Sequence, residues 1–434
     1  MSPATALVVG LGVTGRAVTR HLVATGWRVL VVEDAPTATT PDEVTALGAT
    51  LVPASAAAGV DLVVPNPGVR PGHPAVAAAL GAGVPVRGEI ERAWELAGGR
   101  PVVAVTGTNG KTTVCTLVAA MLVASGRPAV AAGNIGLPLI EAVATDVAVV
   151  VAEVSSFQLF WTRRFRPSVA VWLNLAEDHL DWHPDMAHYA DAKARVWANQ
   201  GSGDVAVINA EDDGVTRAAA TAPAQVRVVG FGLGSGDYHL ADGMLRGPDG
   251  DICAVADVAR SQPHDLANAL AAVAAARAAG ADIAACAGVL AGFTGLPHRV
   301  ELVARCEGVS WYDDSKATTP ASVVAALAGF DSAVLIAGGR NKGLDLRTLR
   351  STAVHLRAVV AIGEAAPAVI AAFAGAVPVE TARSMSAAVA LARRAARPGD
   401  AVLLSPGCAS FDWYRSYAER GDDFASCVRE MCRS

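Results

Sequence analysis

Lysine is scarce in this chain: only Lys111, Lys193, Lys316 and Lys342 stand among 35 basic residues, and the rest are arginine. A solvated surface cation can be either residue, but a guanidinium does not deprotonate and cannot become a nucleophile or a carbamate. The four lysines therefore mark positions where an amine is needed. In VTGTNGKTT, an apolar run leads into Gly107 and Gly110, then Lys111, Thr112 and Thr113. This is the pattern of a phosphate loop. Backbone N–H groups at a helix start hold phosphate oxygens, the ammonium reaches the outer phosphates and the Thr112 hydroxyl ligates Mg²⁺. The strict form of the loop has glycine at position 105, where this chain has Val105.

Two further clusters follow apolar runs. VAEVSSFQ ends in Glu153 and Ser155, and LNLAEDHLDWH carries Asp178, His179 and Asp181. In a parallel sheet such strand ends share the crevice beside the phosphate loop, so Glu153 is read as a Mg²⁺ ligand and His179 as a second metal or substrate ligand. In MAHYADAKARVW, Met186, Tyr189, Ala190, Val196 and Trp197 fall on one helical face, and spacing of three and four residues puts Lys193 among them. Burial favours the neutral amine, which can take up CO₂ to become a metal-binding carbamate. The bland alternative is a lysine at the helix edge, paired with Asp191.

A third set lies late in the chain: WYDDSKATTP with Asp314, Ser315, Lys316 and Thr318, GGRNKGLD with Lys342, and SPGCASFDWYRSYAERG with Ser410 and Tyr417. Two amines and several hydroxyls suit a small dicarboxylate. The first residues, VVGLGVTG, place Gly10, Gly12 and Gly15 between a strand and a helix, with Glu33 and Asp34 after the next strand. That fingerprint fits NAD or another nucleotide, such as a UDP-linked sugar.

The elements that position these residues read as α/β throughout, with short Val/Leu/Ile runs alternating with alanine-rich helical segments. At 434 residues the chain is too long for a single core. Three domains are expected: a Rossmann-like domain over 1–97, a central P-loop ATPase-like parallel sheet over 98–295, with Gly98 and Gly99 at the hinge, and a Rossmann-like domain over 296–434. The net charge of −6 without a basic block argues against nucleic acid. Seven cysteines, an odd number without a CxxC pair, read as reduced thiols. No run of 18 apolar residues suggests membrane insertion, and the N-terminus does not read as a signal peptide, so a cytoplasmic protein is expected.

Taken in order, TGTNGKTT, GNIGLPL, EVSSFQL, EDHLDWH, YADAKARVW, GLPHRVE, DDSKATT and SPGCASFD resemble the Mur ligase family over nearly the whole chain. The resemblance implies an ATP-dependent amide ligase of peptidoglycan synthesis that adds D-glutamate to UDP-N-acetylmuramoyl-L-alanine through an acyl phosphate, acting as a monomer. It implies that Gly107, Thr108, Asn109, Gly110, Lys111, Thr112 and Thr113 hold ATP, joined by Asn268, Arg299 and Asp314. It places one Mg²⁺ on Thr112 and Glu153, and a second on His179 and carbamylated Lys193. Val13, Thr14, Glu33 or Asp34, Asn66 and Gly68 would meet the uridine diphosphate, and Asn134, Ser155 and Gln158 the muramoyl part. Lys316, Thr318, Lys342, Ser410 and Phe411 would hold D-glutamate, with Tyr417 beside it.

Three positions depart from the family pattern: Asp265 and Thr319 stand where asparagine is common, and Tyr417 where phenylalanine is frequent. Rival readings are a sibling ligase for another amino acid, a folylpolyglutamate synthase-like enzyme, an NAD-dependent dehydrogenase and a nucleotide sensor without turnover. The dehydrogenase reading leaves Lys111, Glu153, His179 and Lys193 without a task.

Overall fold

Valine dominates the strands because a stiff β-branched side chain suits a strand covered on both faces. The computed structural model describes residues 3–433. Near the start of the chain, Thr5–Val9 lies between Arg28–Val32 and Leu62–Pro65 in a parallel sheet that Thr50–Leu51 extends. A second sheet has six parallel strands in the order Arg227–Phe231, Val205–Asn209, Val169–Trp172, Val102–Thr106, Val149–Glu153 and Ala129–Gly133. A third orders Glu301–Cys306, Val309–Asp313, Ala401–Leu404, Ala333–Gly338, Leu356–Ile362 and Val379–Thr381. Only its edge strand Glu301–Cys306 runs antiparallel. The expected α/β class with three parallel sheets is the one that forms.

A small antiparallel sheet of His239–Ala241, Met244–Gly247 and Gly250–Ala254 was outside the sequence expectation. Its strands are too short for a periodic signal. The Asp242–Gly243 turn, with φ of 52° and 74°, is nevertheless a hairpin signature readable from sequence.

The chain divides into two compact units. One runs to Leu175 and adds Ala187–Ala254 and Ala269–Leu290; the other comprises Ala176–Met186, Val255–Asn268 and the chain from Ala291. Within the first unit, the first and second sheets share one hydrophobic core. The helix Glu89–Leu96 carries two buried glutamates at that junction. Glu91 is fully buried and accepts hydrogen bonds from the backbone N–H groups of Arg163, Arg164 and Phe165 at 2.8–3.0 Å. Glu89 accepts from Ile140 N at 2.6 Å.

Two expectations need correction. The helix bearing Lys193 spans Met186–Ala194, so Val196 and Trp197 extend the buried face from the turns that follow. There the hydrogen bonds reach back three residues instead of four, with Trp197 packed on Trp172. The cysteines are not all free: Cys306 is bonded to Cys432, with 5.8 Å between their Cα atoms. The C-terminal helix Tyr417–Arg433 lies against the edge strand Glu301–Cys306 and brings the two together. No parity argument could reveal a pairing across 126 residues.

Burial pushes Glu89 up from 4.5 to about 7, against the N–H groups of Ile140 and Leu139, which pull it down. The folded protein therefore keeps a proton that the unfolded chain releases, and stability falls as pH rises from 4.5 to about 7. Glu89→Gln removes this titration. The loss of unfolding free energy between about pH 5 and pH 7 in urea is expected to shrink in the variant; equal losses in both proteins would overturn the assignment.

Candidate active site

The phosphate loop grows out of Val102–Thr106, a strand buried at every position. Val105 belongs to that strand and pairs with Glu153 and Val171, which accounts for the missing loop glycine. The chain turns at Gly107 and Gly110, with φ of 153° and 84°, into the helix Lys111–Ala124. No side chain caps that helix and no acid lies in its first turn. Its positive dipole end thus favours an anion. The Lys111 ammonium donates to Gly107 O at 2.8 Å and Thr108 O at 2.9 Å.

Glu153 ends the adjacent strand and is 3% exposed. Thr112 Oγ1 donates to one of its oxygens and Asn134 Nδ2 to the other, each at 2.8 Å. Gly133 permits this approach, since a Cβ there would lie 2.4 Å from Glu153 O. A carboxylate and a hydroxyl at the mouth of the loop form the hard oxygen donor set that Mg²⁺ prefers. Ser155 and Gln158 are both buried and form a capping box on the helix Ser156–Phe160.

Lys193 is 1% exposed, whereas Asp191, two positions earlier, faces solvent. Its amine donates to Gly107 O at 2.8 Å and lies 4.6 Å from the centre of the Tyr189 ring. Two of the four lysines thus converge on one loop carbonyl. Asn174 escaped sequence reasoning although it lies inside a quoted motif. Its side chain accepts from Asn109 N at 2.8 Å and donates to Asn109 O at 3.2 Å, while its own carbonyl accepts from Thr108 N. The only prior signal was an asparagine at a strand end.

In the first sheet, Gly10 has φ of 89°, and a Cβ on Gly15 would lie 2.1 Å from Gly10 O. Glu33 accepts from Leu11 N at 2.6 Å and stabilises the glycine turn, whereas Asp34 faces solvent and contacts His73 at 3.0 Å. Asn66 abuts these glycines, and its buried Oδ1 has no partner among the described residues. Thr14 is partly buried, and Val13 and Gly68 are exposed.

In the second unit, His179 has a left-handed φ of 56° and sits 3.2 Å from Asp178. Such a conformation costs about 1–3 kcal/mol in a non-glycine residue and collects at functional sites. His298 and Val300, with φ of 60° and 47°, flank Arg299 in the same way. Burial lifts Asp314 to about 7, although Ser405 Oγ donates to it at 2.7 Å. Asp265, the departure from asparagine, is paired with Arg260 at 3.1 Å. Asn268 follows on the same helix, Pro263–Ala278, and is partly buried. Thr319 caps the helix Pro320–Leu327, a task for which threonine serves nearly as well as asparagine.

The three loops of the third set follow the strands Val309–Asp313, Ala333–Gly338 and Ala401–Leu404, which are neighbours in one sheet. The Lys316 ammonium lies 3.7 Å from the centre of the Tyr417 ring, a cation–π contact that phenylalanine could also supply. Ser410 is buried, Phe411 is exposed, and Thr318 and Lys342 are partly buried. His298, Glu301 and Asp313 offer metal-binding atoms within 4.8 Å of one another. Yet His298 Nδ1 is hydrogen-bonded to Asp313 at 2.7 Å and Glu301 accepts from His298 N, so these groups satisfy one another.

An uncapped phosphate loop beside a buried carboxylate, in a chain with three parallel α/β sheets, defines a nucleotide-dependent enzyme. Three domain families match along its length: the Mur ligase MurD-like N-terminal domain at 4–88, the Mur ligase middle domain at 105–276 and the Mur ligase glutamate ligase domain at 298–408. The chain is 46% identical to a UDP-N-acetylmuramoylalanine–D-glutamate ligase from Frankia casuarinae, over 98% of this chain and 93% of that one. It is 43% identical to the enzyme of the same name from Pelotomaculum thermopropionicum, over 98% and 97%. Its fold is shared with MurF from Thermotoga maritima in complex with ADP, with a TM-score of 0.64 at 17% identity over 100% and 96% of the two chains. This chain belongs to the Mur ligase family, the ATP-dependent ligases that form amide bonds.

Replacing Asn174 by alanine removes two of the three hydrogen bonds that residue makes with Thr108 and Asn109. The KM for ATP is expected to rise about tenfold, the effect of a loosened binding loop. An unchanged ATP KM would show that the loop holds its shape without Asn174.

Proposed function

We propose that this chain joins D-glutamate to UDP-N-acetylmuramoyl-L-alanine with ATP, in a cytoplasmic step of peptidoglycan synthesis. The observation that carries the reading is the Thr112–Glu153 pair at the uncapped start of Lys111–Ala124, in a chain so similar to D-glutamate ligases. The substrate carboxylate is phosphorylated and the D-glutamate amine then attacks the acyl phosphate, forming the amide and releasing phosphate. Gly107 to Thr113 hold the ATP phosphates, and the Lys111 ammonium offsets the charge that builds on the transferring group. Asn268, Arg299 and Asp314 contribute to ATP binding.

Magnesium ligation is assigned to Thr112 and Glu153, to Lys193 as its carbamate and to His179; the ion supplies charge neutralisation for phosphoryl transfer. Carbamate formation adds CO₂ to the Lys193 amine and releases one proton. Asp34 is assigned to the uridine diphosphate in preference to Glu33, whose carboxylate is engaged by the glycine turn. Val13, Thr14, Asn66 and Gly68 join it, and Asn134, Ser155 and Gln158 serve the muramoyl part. Lys316, Thr318, Lys342, Ser410, Phe411 and Tyr417 form the D-glutamate site. The protein is read as a monomer of three domains, at 1–97, 98–295 and 296–434.

Phosphate release is expected to require Mg²⁺, UDP-N-acetylmuramoyl-L-alanine and D-glutamate together. A panel of amino acids checks it: equal turnover with L-glutamate or a diamino acid points to a sibling enzyme, and hydride transfer to NAD⁺ points to another class.

Lys193→Arg keeps the charge but cannot form a carbamate, so turnover is expected to fall at least about a hundredfold, the scale of losing an electrostatic contributor. Lys193→Ala is expected to regain activity in concentrated acetate and not in chloride of equal ionic strength. Near-normal turnover by Lys193→Arg, or an active wild-type enzyme whose intact mass shows an unmodified lysine, refutes the carbamate.

A further inference from the structure

Arg420, in the first turns of the helix Tyr417–Arg433, is 1% exposed. Among the described residues no carboxylate lies within ion-pair distance of it. Its Nε donates to Ser315 Oγ at 2.9 Å, Nη2 to Ser315 O at 2.8 Å and Nη1 to Cys408 O at 3.2 Å. Burial lowers its pKa to about 10, so it remains a cation at neutral pH. An arginine is almost never buried in this way without a purpose, because desolvation of an ion costs several kcal/mol.

The position of the guanidinium suggests that purpose. Ser315 precedes Lys316 and Cys408 lies two residues before Ser410, so one side chain ties together two loops of the proposed D-glutamate site. The third loop is also in reach. A Cβ on Gly339, at φ of 130°, would meet Arg420 Nη1 at 3.1 Å, and Arg340 exchanges two backbone hydrogen bonds with Ala409. Ser315 Oγ donates in turn to Tyr417 O at 2.7 Å, and Asp313 accepts from Ser315 N while it holds His298. The helix comes this close because residue 421 is glycine; a Cβ there would lie 2.3 Å from His298 Nδ1.

We propose that Arg420 is a positioning residue of the amino-acid site: it fixes the Lys316 and Ser410 loops in one geometry and adds a permanent buried positive charge beneath them that favours a dicarboxylate. The inference rests on the reading of this site as the D-glutamate site. Lysine could keep the charge but not the three-point fork.

The test is steady-state kinetics on Arg420→Met, Arg420→Lys and Ser315→Ala, with thermal unfolding of each. Arg420→Met is expected to raise the KM for D-glutamate about tenfold or more, the size of a lost hydrogen bond to a charged group. The KM values for ATP and the UDP-muramoyl substrate should stay within about twofold. Arg420→Lys should fall between wild type and Arg420→Met, and Ser315→Ala should shift the D-glutamate KM in the same direction by a smaller factor. A merely structural role would lower the melting temperature while leaving the three KM values in proportion, and that result overturns the proposal. Should Arg420→Met not fold, the KM ratios of the other two variants decide by the same criterion. Wild-type enzyme without D-glutamate-dependent phosphate release overturns both this inference and the reading beneath it; wild-type activity with no selective KM change in the variants overturns this inference alone.

Discussion

A carboxylate removed from water must recover the hydration it loses, and Glu153 does so by holding two loops at once. Thr112 from the phosphate-loop helix and Asn134 from the turn after Ala129–Gly133 each donate to one of its oxygens. The arrangement requires Val102–Thr106, Val149–Glu153 and Ala129–Gly133 to lie side by side and parallel, so that their carboxyl ends open in one direction. It also requires glycine at 133. The helix Lys111–Ala124 starts with no side-chain cap and no acid in its first turn, so its positive dipole end favours an anion.

The second unit meets the inverse problem. There a cation is buried, and Arg420 is stabilised by carbonyl and hydroxyl oxygens drawn from the loops it braces. In both units a charge that cannot relax into solvent dictates where the surrounding loops must lie. Backbone conformations that would otherwise be avoided mark other motif segments. His179, His298 and Val300 all adopt positive φ, and each belongs to a segment quoted as a motif.

Much of the architecture was legible because its signals are local. Runs of valine, glycine spacing and helix-start chemistry act within about ten residues, so the three α/β layers and the loops bearing Lys111, Glu153, Lys316, Lys342 and Ser410 could be located. The departures from the family pattern were legible only as departures. What accommodates each lies in a neighbour: Asp265 pairs with Arg260, Thr319 caps a helix start, and the Tyr417 ring meets the Lys316 ammonium as a phenylalanine ring would.

By itself the sequence determined where the amines stand, with Lys111, Lys316 and Lys342 each after a strand and Lys193 on a helical face, since spacing and side-chain type are properties of adjacent residues. Tertiary structure decided which groups meet: Glu91 with a turn more than 70 residues away, Ser315 with Arg420 across 105 positions and Cys306 with Cys432 across 126. It also decided that the Lys193 helix stops at Ala194 and that Asn174 braces the phosphate loop. The reason is physical. Long-range partners are selected by strand order and by the cost of leaving a buried charge or N–H group unpaired, and neither exists until the sheets have formed.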